Sequence, residues 1–157
     1  MRVPASLHAT TLVFDGIGVM ITGPSGAGKS LLALDLIDHG KLAGVETALV
    51  ADDLTLLSVA EGRLMAAVRE GFEGQIELRG RGIVSRAFAA PSGIDLVIDL
   101  VDRYDRLPPE SAFETAIGEV RLRRAPVPVR GHADPVHQRL LVLEAIHACR
   151  GSREKST

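Results

Sequence analysis

Three observations predict an α/β fold with a mixed sheet, β-hairpins and a glycine-rich loop that leads into a buried helix. An apolar run, Val19-Met20-Ile21-Thr22, precedes a glycine-rich loop and an apolar helical pattern over residues 29–38. Short apolar runs bounded by turn residues recur along the chain, which is typical of strands. The 157 residues, 46% of them hydrophobic, suffice for one domain, which we place at 1–150, with a disordered polar tail at 151–157.

The N-terminal third predicts a hairpin that runs into the loop. Strands at 11–14 and 19–22 flank Asp15-Gly16-Ile17-Gly18, where glycine allows the positive φ of a tight turn. The helix at 29–38 is apolar on nearly all sides, so we expect it to be buried on more than one face. His39-Gly40 is expected to end it.

The sequence after the first helix predicts further strands and one more helix. Strands are predicted at 48–51, 54–59, 64–67, 75–78, 94–101 and 119–122, and a C-terminal helix at 136–148. Prolines at 126 and 128 keep the segment after the last strand extended. This succession contains more hairpins than a plain doubly wound sheet.

The loop itself matches the phosphate-binding pattern G-x-x-x-x-G-K-[ST] in full, as Gly23-Pro24-Ser25-Gly26-Ala27-Gly28-Lys29-Ser30. Its glycines let backbone N–H groups face inward as an anion nest, and the helix N-terminus adds positive charge. Lys29 can reach the outer phosphates of a nucleotide such as ATP, and the Ser30 hydroxyl can bind Mg²⁺. A chance match in a Gly/Ser-rich turn is the competing interpretation, and the flanking strand and helix disfavour it.

Carboxylates at strand ends are candidates for the rest of a phosphoryl-transfer site. Asp52 and Asp53 follow the strand at 48–51, where open α/β sheets bind ligands. One could hold Mg²⁺ or its water, and the other could accept the proton of an incoming hydroxyl. A turn explains the pair equally well. Asp99, which also follows an apolar run, is a rival for the metal role.

Composition excludes several classes of function. A formal net charge of −2 and 3% aromatic residues argue against nucleic-acid binding. No apolar run reaches membrane-spanning length, and the N-terminus lacks a signal-peptide pattern, so no membrane association is expected. The single Cys149 excludes an internal disulfide and suits a cytoplasmic location.

Five motifs, in this order, resemble the catalytic domain of the HPr kinase/phosphorylase family over about residues 8–130. They are His8, the phosphate loop, Val50-Ala51-Asp52-Asp53, Ile76-Glu77-Leu78-Arg79-Gly80-Arg81-Gly82-Ile83 (close to the family's L-E-I-R-G-L-G-I), and Tyr104-Asp105-Arg106-Leu107. The loop alone is shared by many families, but the combination is specific. On composition alone, His8 and Arg106 would be surface residues and Glu77 part of a solvated loop.

The resemblance implies a P-loop kinase domain of the HPr kinase type. It also implies an ATP- and Mg²⁺-dependent kinase that phosphorylates a serine of HPr or an HPr-like phosphocarrier and removes that phosphate by phosphorolysis. It implies that Lys29 binds the transferred phosphate and that Ser30 and Glu77 bind Mg²⁺, with Asp52 as a further metal candidate. Asp53 would be the base that takes the serine proton. Members of the family assemble as hexamers. The resemblance leaves the oligomeric state of this chain open, with a homo-oligomer among the alternatives.

The resemblance further implies that His8 tunes Asp53, that Arg106 is a catalytic cation, and that residues 128–133 correspond to a segment implicated in dephosphorylation. The chain begins almost at His8, as in a short α-proteobacterial form without the N-terminal domain. Leu31 stands where the family usually has Glu. Two alternatives stay open: a small-molecule P-loop kinase and a non-catalytic ATP-binding regulator.

Overall fold

The computed structural model describes residues 2–157. Its helices are α1 (Lys29–Leu42), α2 (Pro135–Lys155) and a short 3-10 helix (Glu110–Phe113). Its strands are β1 (Ser6–Leu7), β2 (Thr10–Phe14), β3 (Ile17–Thr22), β4 (Thr47–Ala51), β5 (Thr55–Ala60), β6 (Arg63–Ala67), β7 (Gln75–Leu78), β8 (Gly82–Ser85), β9 (Ser92–Gly93), β10 (Leu96–Val101), β11 (Glu114–Ile117) and β12 (Val120–Pro128).

A mixed six-stranded sheet in the order β11-β12-β10-β3-β2-β4 forms the centre of the molecule. Strands β3, β10 and β12 are parallel neighbours, and β2 pairs antiparallel with both β3 and β4. Strand β4 therefore points the same way as β3, and both end at the edge where the glycine-rich loop begins. The α/β fold with a mixed sheet is confirmed.

The two faces of this sheet carry two apolar cores. On one face, α1 and α2 cover a cluster that includes Val19, Ile21, Leu36 and Val142. On the other, the four-stranded sheet β1-β5-β6-β9 covers a second cluster, which includes Met20. Residues 19–21 alternate between the clusters because successive side chains of a strand point to opposite faces. This double burial explains why β3 reads as a continuous apolar run.

The hairpin predicted before the loop is present. Strands β2 and β3 pair with Phe14 opposite Ile17, and the two turn residues have positive φ, 48° at Asp15 and 81° at Gly16. Two successive positive φ values match the right-handed twist of the strands they join.

The predicted end of the first helix was wrong. Helix α1 passes through His39-Gly40 and ends at Leu42. Gly40 is a packing residue, since a Cβ there would lie 2.4 Å from Thr47 Cγ2 and 2.8 Å from Phe14 Cε2. Helix α1 can therefore approach the sheet closely at this point.

The predicted end of the last helix was also wrong, because α2 continues past residue 148 to Lys155. Arg150 forms an ion pair with Asp15, and Arg153 forms one with Asp95. These contacts tie the final turns to the sheet. Residues 151–155, expected in a disordered tail, are helical because of partners far away in sequence.

Four strands were not predicted, namely β8, β11 and the two-residue strands β1 and β9, and β12 is longer than expected. Strand β11 pairs with β12 only from Val120 to Arg123. Pro126 and Pro128 lie beyond this pairing. Among the described residues, no strand pairs with that side of β12 there, so the backbone N–H that proline lacks is not needed. Within residues 2–157, no helix has the length and apolar character needed to cross a bilayer.

We expect Gly18→Ala to lower the free energy of unfolding by about 3 kcal/mol or more, because a Cβ there would lie 1.9 Å from the Gly93 carbonyl oxygen. Urea denaturation measures the change. Gly151→Ala is the matched control, since apart from the adjoining residues and backbone of its own helix no described atom lies within 4 Å of its added methyl group. The control should raise stability by up to ~1 kcal/mol, and an unchanged midpoint for Gly18→Ala would contradict the packing described here.

Burial raises the pKa of the Cys149 thiol, against the opposing effect of nearby Arg123. Since the thiolate is the reactive form, we expect alkylation of the folded chain at pH 8 to be at least about tenfold slower than in urea. Mass spectrometry after timed quenching gives both rates. Equal rates would show that the C-terminal helix opens readily.

Candidate functional site

The glycine-rich loop connects the end of β3 to the start of α1 at the carboxyl edge of the sheet. Gly26 and Gly28 have φ values of 78° and 94°, in the region that L side chains rarely adopt. Gly28 is also the N-cap residue of α1, so the loop delivers the chain directly into the helix N-terminus. This places backbone N–H groups and the positive end of the helix dipole at one point.

Lys29 lies folded over the loop. Its Nζ donates hydrogen bonds to the carbonyl oxygens of Gly23, at 3.0 Å, and Pro24, at 3.1 Å. Both acceptors are neutral, whereas a phosphate oxygen carries charge and accepts more strongly. The ammonium group of Lys29 is therefore held at the phosphate cradle, which is the glycine-rich loop of residues 23–30, by partners that an anion can replace.

The Asp52 carboxylate joins three elements of the site. Its Oδ1 accepts hydrogen bonds from Ser30 Oγ at 2.6 Å and Thr10 Oγ1 at 2.9 Å. Its Oδ2 accepts one from the backbone N–H of Glu77 at 3.0 Å. The start of α1, the start of β2 and strand β7 thus meet at one half-buried side chain.

The Ser30 and Asp52 oxygens fit a magnesium ion. Adjacent ligands of an octahedral Mg²⁺, each 2.0–2.1 Å from the metal, are about 2.9 Å apart. The observed separation of 2.6 Å therefore needs only a small opening. In the described part of the chain, no three His, Cys, Asp or Glu side chains form a metal cluster. Magnesium sites in kinases commonly use one or two carboxylates, with phosphates and water supplying the other ligands.

Asp53 differs from Asp52 in both backbone and exposure. It has a φ of 64°, and the Leu54 N–H donates across it to the Asp52 carbonyl oxygen at 2.7 Å. This is a γ-turn of the positive-φ kind, a rare conformation that costs about 1–3 kcal/mol. The Asp53 side chain is exposed, so the strained turn presents it to solvent beside the buried end of β4.

Strand pairing places the backbone of His8 near Asp53, and a hydrogen bond places the backbone of Glu77 beside Asp52. The pairing of β1 with β5 sets Leu7 opposite Thr55, so the backbone of His8 runs beside the turn that contains Asp53. Both the His8 and Glu77 side chains are exposed. Glu77 joins the site through its backbone N–H, whereas within residues 2–157 no hydrogen bond links the His8 and Asp53 side chains.

Arg106 lies in the exposed loop at residues 102–107. This loop follows β10 and so begins at the same edge of the sheet as the glycine-rich loop. Among the described residues, Arg106 forms no ion pair. The structure thus brings Ser30, Asp52 and Glu77 into contact but does not bring Arg106 to them.

Asp99, the rival metal candidate, is engaged in an ion pair. Its Oδ2 accepts from Arg124 Nη2 at 2.7 Å and Nε at 3.1 Å, and its Oδ1 accepts from Thr22 Oγ1 at 3.3 Å. Arg124 also donates to the carbonyl oxygen of Ala112. Asp99 therefore fastens β10, β12 and the 3-10 helix together.

One residue of the site, Thr10, was not predicted from the sequence. Thr10 is fully buried and binds Asp52, a contact across 42 positions that depends on the pairing of β2 with β4. Arg130 lies in the segment at 128–133 that the resemblance implicates in dephosphorylation, and its Cδ lies 3.1 Å from the position that a Cβ of Gly28 would occupy. No local pattern signals either contact.

Comparisons with known proteins identify the family to which the chain is similar. The family model of the HPr Serine kinase C-terminal domain matches residues 2–146. The HPr kinase/phosphorylase of Alkaliphilus metalliredigens is 31% identical over 163 residues, covering 96% of this chain and 48% of that protein. The one from Geobacillus sp. is 35% identical over 138 residues, covering 80% of this chain and 42% of that protein.

The fold has a solved counterpart. The HPr(Ser) kinase/phosphatase from Coxiella burnetii is similar to it with a TM-score of 0.74 at 26% identity, covering 96% of this chain and 99% of that one. The chain spans about half, or somewhat less, of the length of the curated relatives named above. With its loop, its Asp52 centre and the family match over residues 2–146, this chain belongs to the HPr Serine kinase C-terminal domain family.

Proposed function

We propose that this chain is the catalytic domain of an ATP- and Mg²⁺-dependent protein-serine kinase that acts on HPr or an HPr-like phosphocarrier and also reverses the reaction by phosphorolysis. The observation that carries the proposal is the Ser30–Asp52 hydrogen bond of 2.6 Å immediately beside an exposed Asp53 in a strained turn. The names of the relatives support the choice of carrier and of phosphorolysis. Both apolar cores share the central sheet, which supports treating residues 1–150 as one domain.

The loop and Lys29 bind the phosphates in this mechanism. The backbone N–H groups at the start of α1 hold the β-phosphate, and Lys29 leaves the Gly23 and Pro24 carbonyls to bind the transferred γ-phosphate. Ser30 and Asp52 would hold Mg²⁺, with the Glu77 side chain as a further ligand from β7. When bound, the ion would supply positive charge against the phosphate oxygens during transfer.

Asp53 acts as the base. As the hydroxyl oxygen of the substrate serine attacks the γ-phosphorus, Asp53 accepts the hydroxyl proton, and the bond to the β–γ bridging oxygen breaks to release ADP. In the reverse direction, inorganic phosphate gives its proton to Asp53 as it attacks the phosphorus of phosphoserine, and Asp53 acts as the acid that passes this proton to the leaving serine oxygen, giving serine and pyrophosphate. Exposure of Asp53 supports this role because a protein substrate must reach it.

His8 and Arg106 have supporting roles in this proposal. His8 lies along the chain beside the Asp53 turn and can adjust the proton affinity of that carboxylate. Arg106 lies on an exposed loop at the phosphate edge of the sheet and can approach the transferred phosphoryl group when the carrier docks.

A transfer assay tests the proposal. The purified chain, Mg²⁺ and γ-labelled ATP are mixed with the HPr-type proteins of the same organism, with Lys29→Ala alongside. We expect label on a carrier serine with the wild-type chain and none with the variant, and added phosphate should then release the label as pyrophosphate. ATP binding without transfer would favour the non-catalytic regulator, and labelling of small alcohols alone would favour the small-molecule kinase.

Asp53→Asn should lower the transfer rate by about 10²–10⁴-fold, because the amide cannot take the serine proton. ADP affinity should change by less than about twofold, since Asp53 does not touch the cradle. Glu154→Gln, an isosteric change on the exposed end of α2, is the control and should leave both quantities unchanged. Equal loss of binding and transfer in a folded Asp53→Asn protein would refute the role of Asp53 as base.

Asp52→Asn should raise the Mg²⁺ concentration for half-maximal transfer at least about tenfold, because an amide oxygen is a weaker ligand than a carboxylate. Asp99→Asn is the informative comparison. It should lower thermal stability by breaking the Arg124 ion pair, while the Mg²⁺ requirement stays within about twofold. A raised Mg²⁺ requirement in Asp99→Asn, with an unchanged requirement in Asp52→Asn, would identify Asp99 as the metal ligand.

A further inference from the structure

A cavity of about 610 Å³ lies at the edge of the central sheet opposite to the phosphate cradle. The parallel strands β3, β10 and β12 end at the cradle edge, whereas the cavity lies against the starts of β10 and β12. The start of β6 and the last turns of α2 complete its walls. None of the described residues that line it belongs to the proposed catalytic site, and its volume lies within the range of small-molecule sites.

Four arginine side chains from three elements line this cavity, which we call the arginine cavity. Arg63 belongs to β6, Arg121 and Arg123 belong to β12, and Arg153 belongs to α2. Among the described residues that line it, Asp95 has the one carboxylate side chain. This excess of positive charge is local, because the whole chain has a formal net charge of −2.

The Asp95 carboxylate serves two of the guanidinium groups. Its Oδ1 accepts hydrogen bonds from Arg63 Nη2, at 3.0 Å, and from Arg153 Nη2. Its Oδ2 accepts one from the backbone N–H of Gly18 at 2.9 Å. The two guanidinium groups contact the same oxygen and therefore repel each other, and one carboxylate neutralises one of the two cations. An anion bound beside them would reduce the repulsion that remains.

The charge of Arg123 is not offset by a carboxylate. Within residues 2–157 it forms no ion pair, and its Nη2 donates to the neutral hydroxyl of Ser152. Burial raises the pKa of the Cys149 thiol, and both Arg123 and Arg153 lie close enough to oppose that rise. These two guanidinium groups therefore converge on the inner wall of the cavity, where Cys149 lies.

Arg63 is fixed in position, whereas Arg121 is not. The Nη2 atom of Arg63 lies 2.5 Å from the position that a Cβ of Gly93 would occupy, so the guanidinium packs directly on the glycine backbone. Arg121 is 87% exposed and lies 3.8 Å from Glu114, an ion pair that contributes little in water. The other three arginines are therefore the binding groups, and Arg121 lies at the rim.

The carboxyl end of α2 offers a competing explanation for part of this charge. It adds partial negative charge, and a carboxylate at Thr157 adds a full one. A basic residue in the last turn of a helix stabilises such charge, which accounts for Arg153. It does not account for Arg63 and Arg123, because these reach the cavity from the two sheets. The strands therefore supply cations that the helix end does not require.

The floor beneath the arginines is apolar. Leu64, Ile94 and Leu122 line the cavity, and all three are buried. Apolar surface can hold the carbon skeleton of an organic ligand, and the low local dielectric strengthens charge pairs at its border. Guanidinium groups bind carboxylates and phosphates in bidentate geometry. The cavity therefore suits an organic anion better than a fully hydrated inorganic one.

We propose that the arginine cavity binds a small organic anion with two or more negative charges, supplied by carboxylate or phosphate groups and held by Arg63, Arg123 and Arg153. A single charge would not suffice, because one exposed ion pair contributes little to binding. The inference does not rest on the proposed function, since the cavity and the phosphate cradle lie at opposite edges of the sheet.

Calorimetric titration of the whole chain with citrate and with glycerol 2-phosphate, in buffer of low ionic strength without Mg²⁺, tests the site. We expect at least one probe to bind, and Arg123→Gln to weaken that binding at least about fivefold because a charge-assisted pair is lost. Arg69→Gln, the same change at an exposed arginine outside the cavity, is the control and should leave the affinity within about twofold. Lys29→Ala should likewise retain the binding that depends on Arg123.

The two probes separate the two sources of the shared chemistry. Binding that depends on Arg123 supports the site in either case, and it indicates a polycarboxylate if citrate alone binds and a phosphate ester if glycerol 2-phosphate alone binds. Thermal melting first checks that Arg123→Gln folds, and Arg63→Gln replaces it if it does not. Failure of both probes to bind in this way would overturn the inference. Equal weakening in Arg69→Gln would also overturn it, because general surface charge would then explain the attraction.

Discussion

The carboxylate of Asp52 is the contact on which the rest of the site depends. It accepts from the hydroxyls of Ser30 and Thr10 and from the N–H of Glu77, so one side chain sets the positions of α1, β2 and β7. Hydrogen bonds to a charged acceptor are stronger than those between neutral groups. The phosphate loop is consequently held by a charge that also lies where a metal ion can share it.

Three aspartates near one edge of the sheet have different environments, and their environments separate their chemistry. Asp52 is half-buried with three donors, Asp53 is exposed on a strained turn, and Asp99 is paired with Arg124. Residue type alone does not distinguish them. Their hydrogen-bond partners and backbone conformation support the roles proposed for them, with Asp52 at the metal, Asp53 as the base and Asp99 in a structural ion pair.

Local features were predictable from the sequence, and long-range ones were not. The loop and its flanking strand and helix follow from adjacent residues, and the hairpin at Asp15-Gly16 follows from turn chemistry. The contact of Thr10 with Asp52 depends on the pairing of β2 with β4, which no local pattern specifies. Gly40 resembled a helix stop, although the close approach of α1 to the sheet is what requires it. The Arg130 contact with the loop likewise arises only after folding.

A crystal structure with ADP and Mn²⁺, in which the anomalous signal locates the manganese, tests whether Ser30 and Asp52 are the metal ligands. We expect a manganese peak at coordination distance from both Ser30 Oγ and Asp52 Oδ1, with the shared ion in place of their hydrogen bond. The Asp99–Arg124 ion pair should stay intact in the same crystal. A manganese peak on Asp99, with the Ser30–Asp52 hydrogen bond unchanged, would contradict the account.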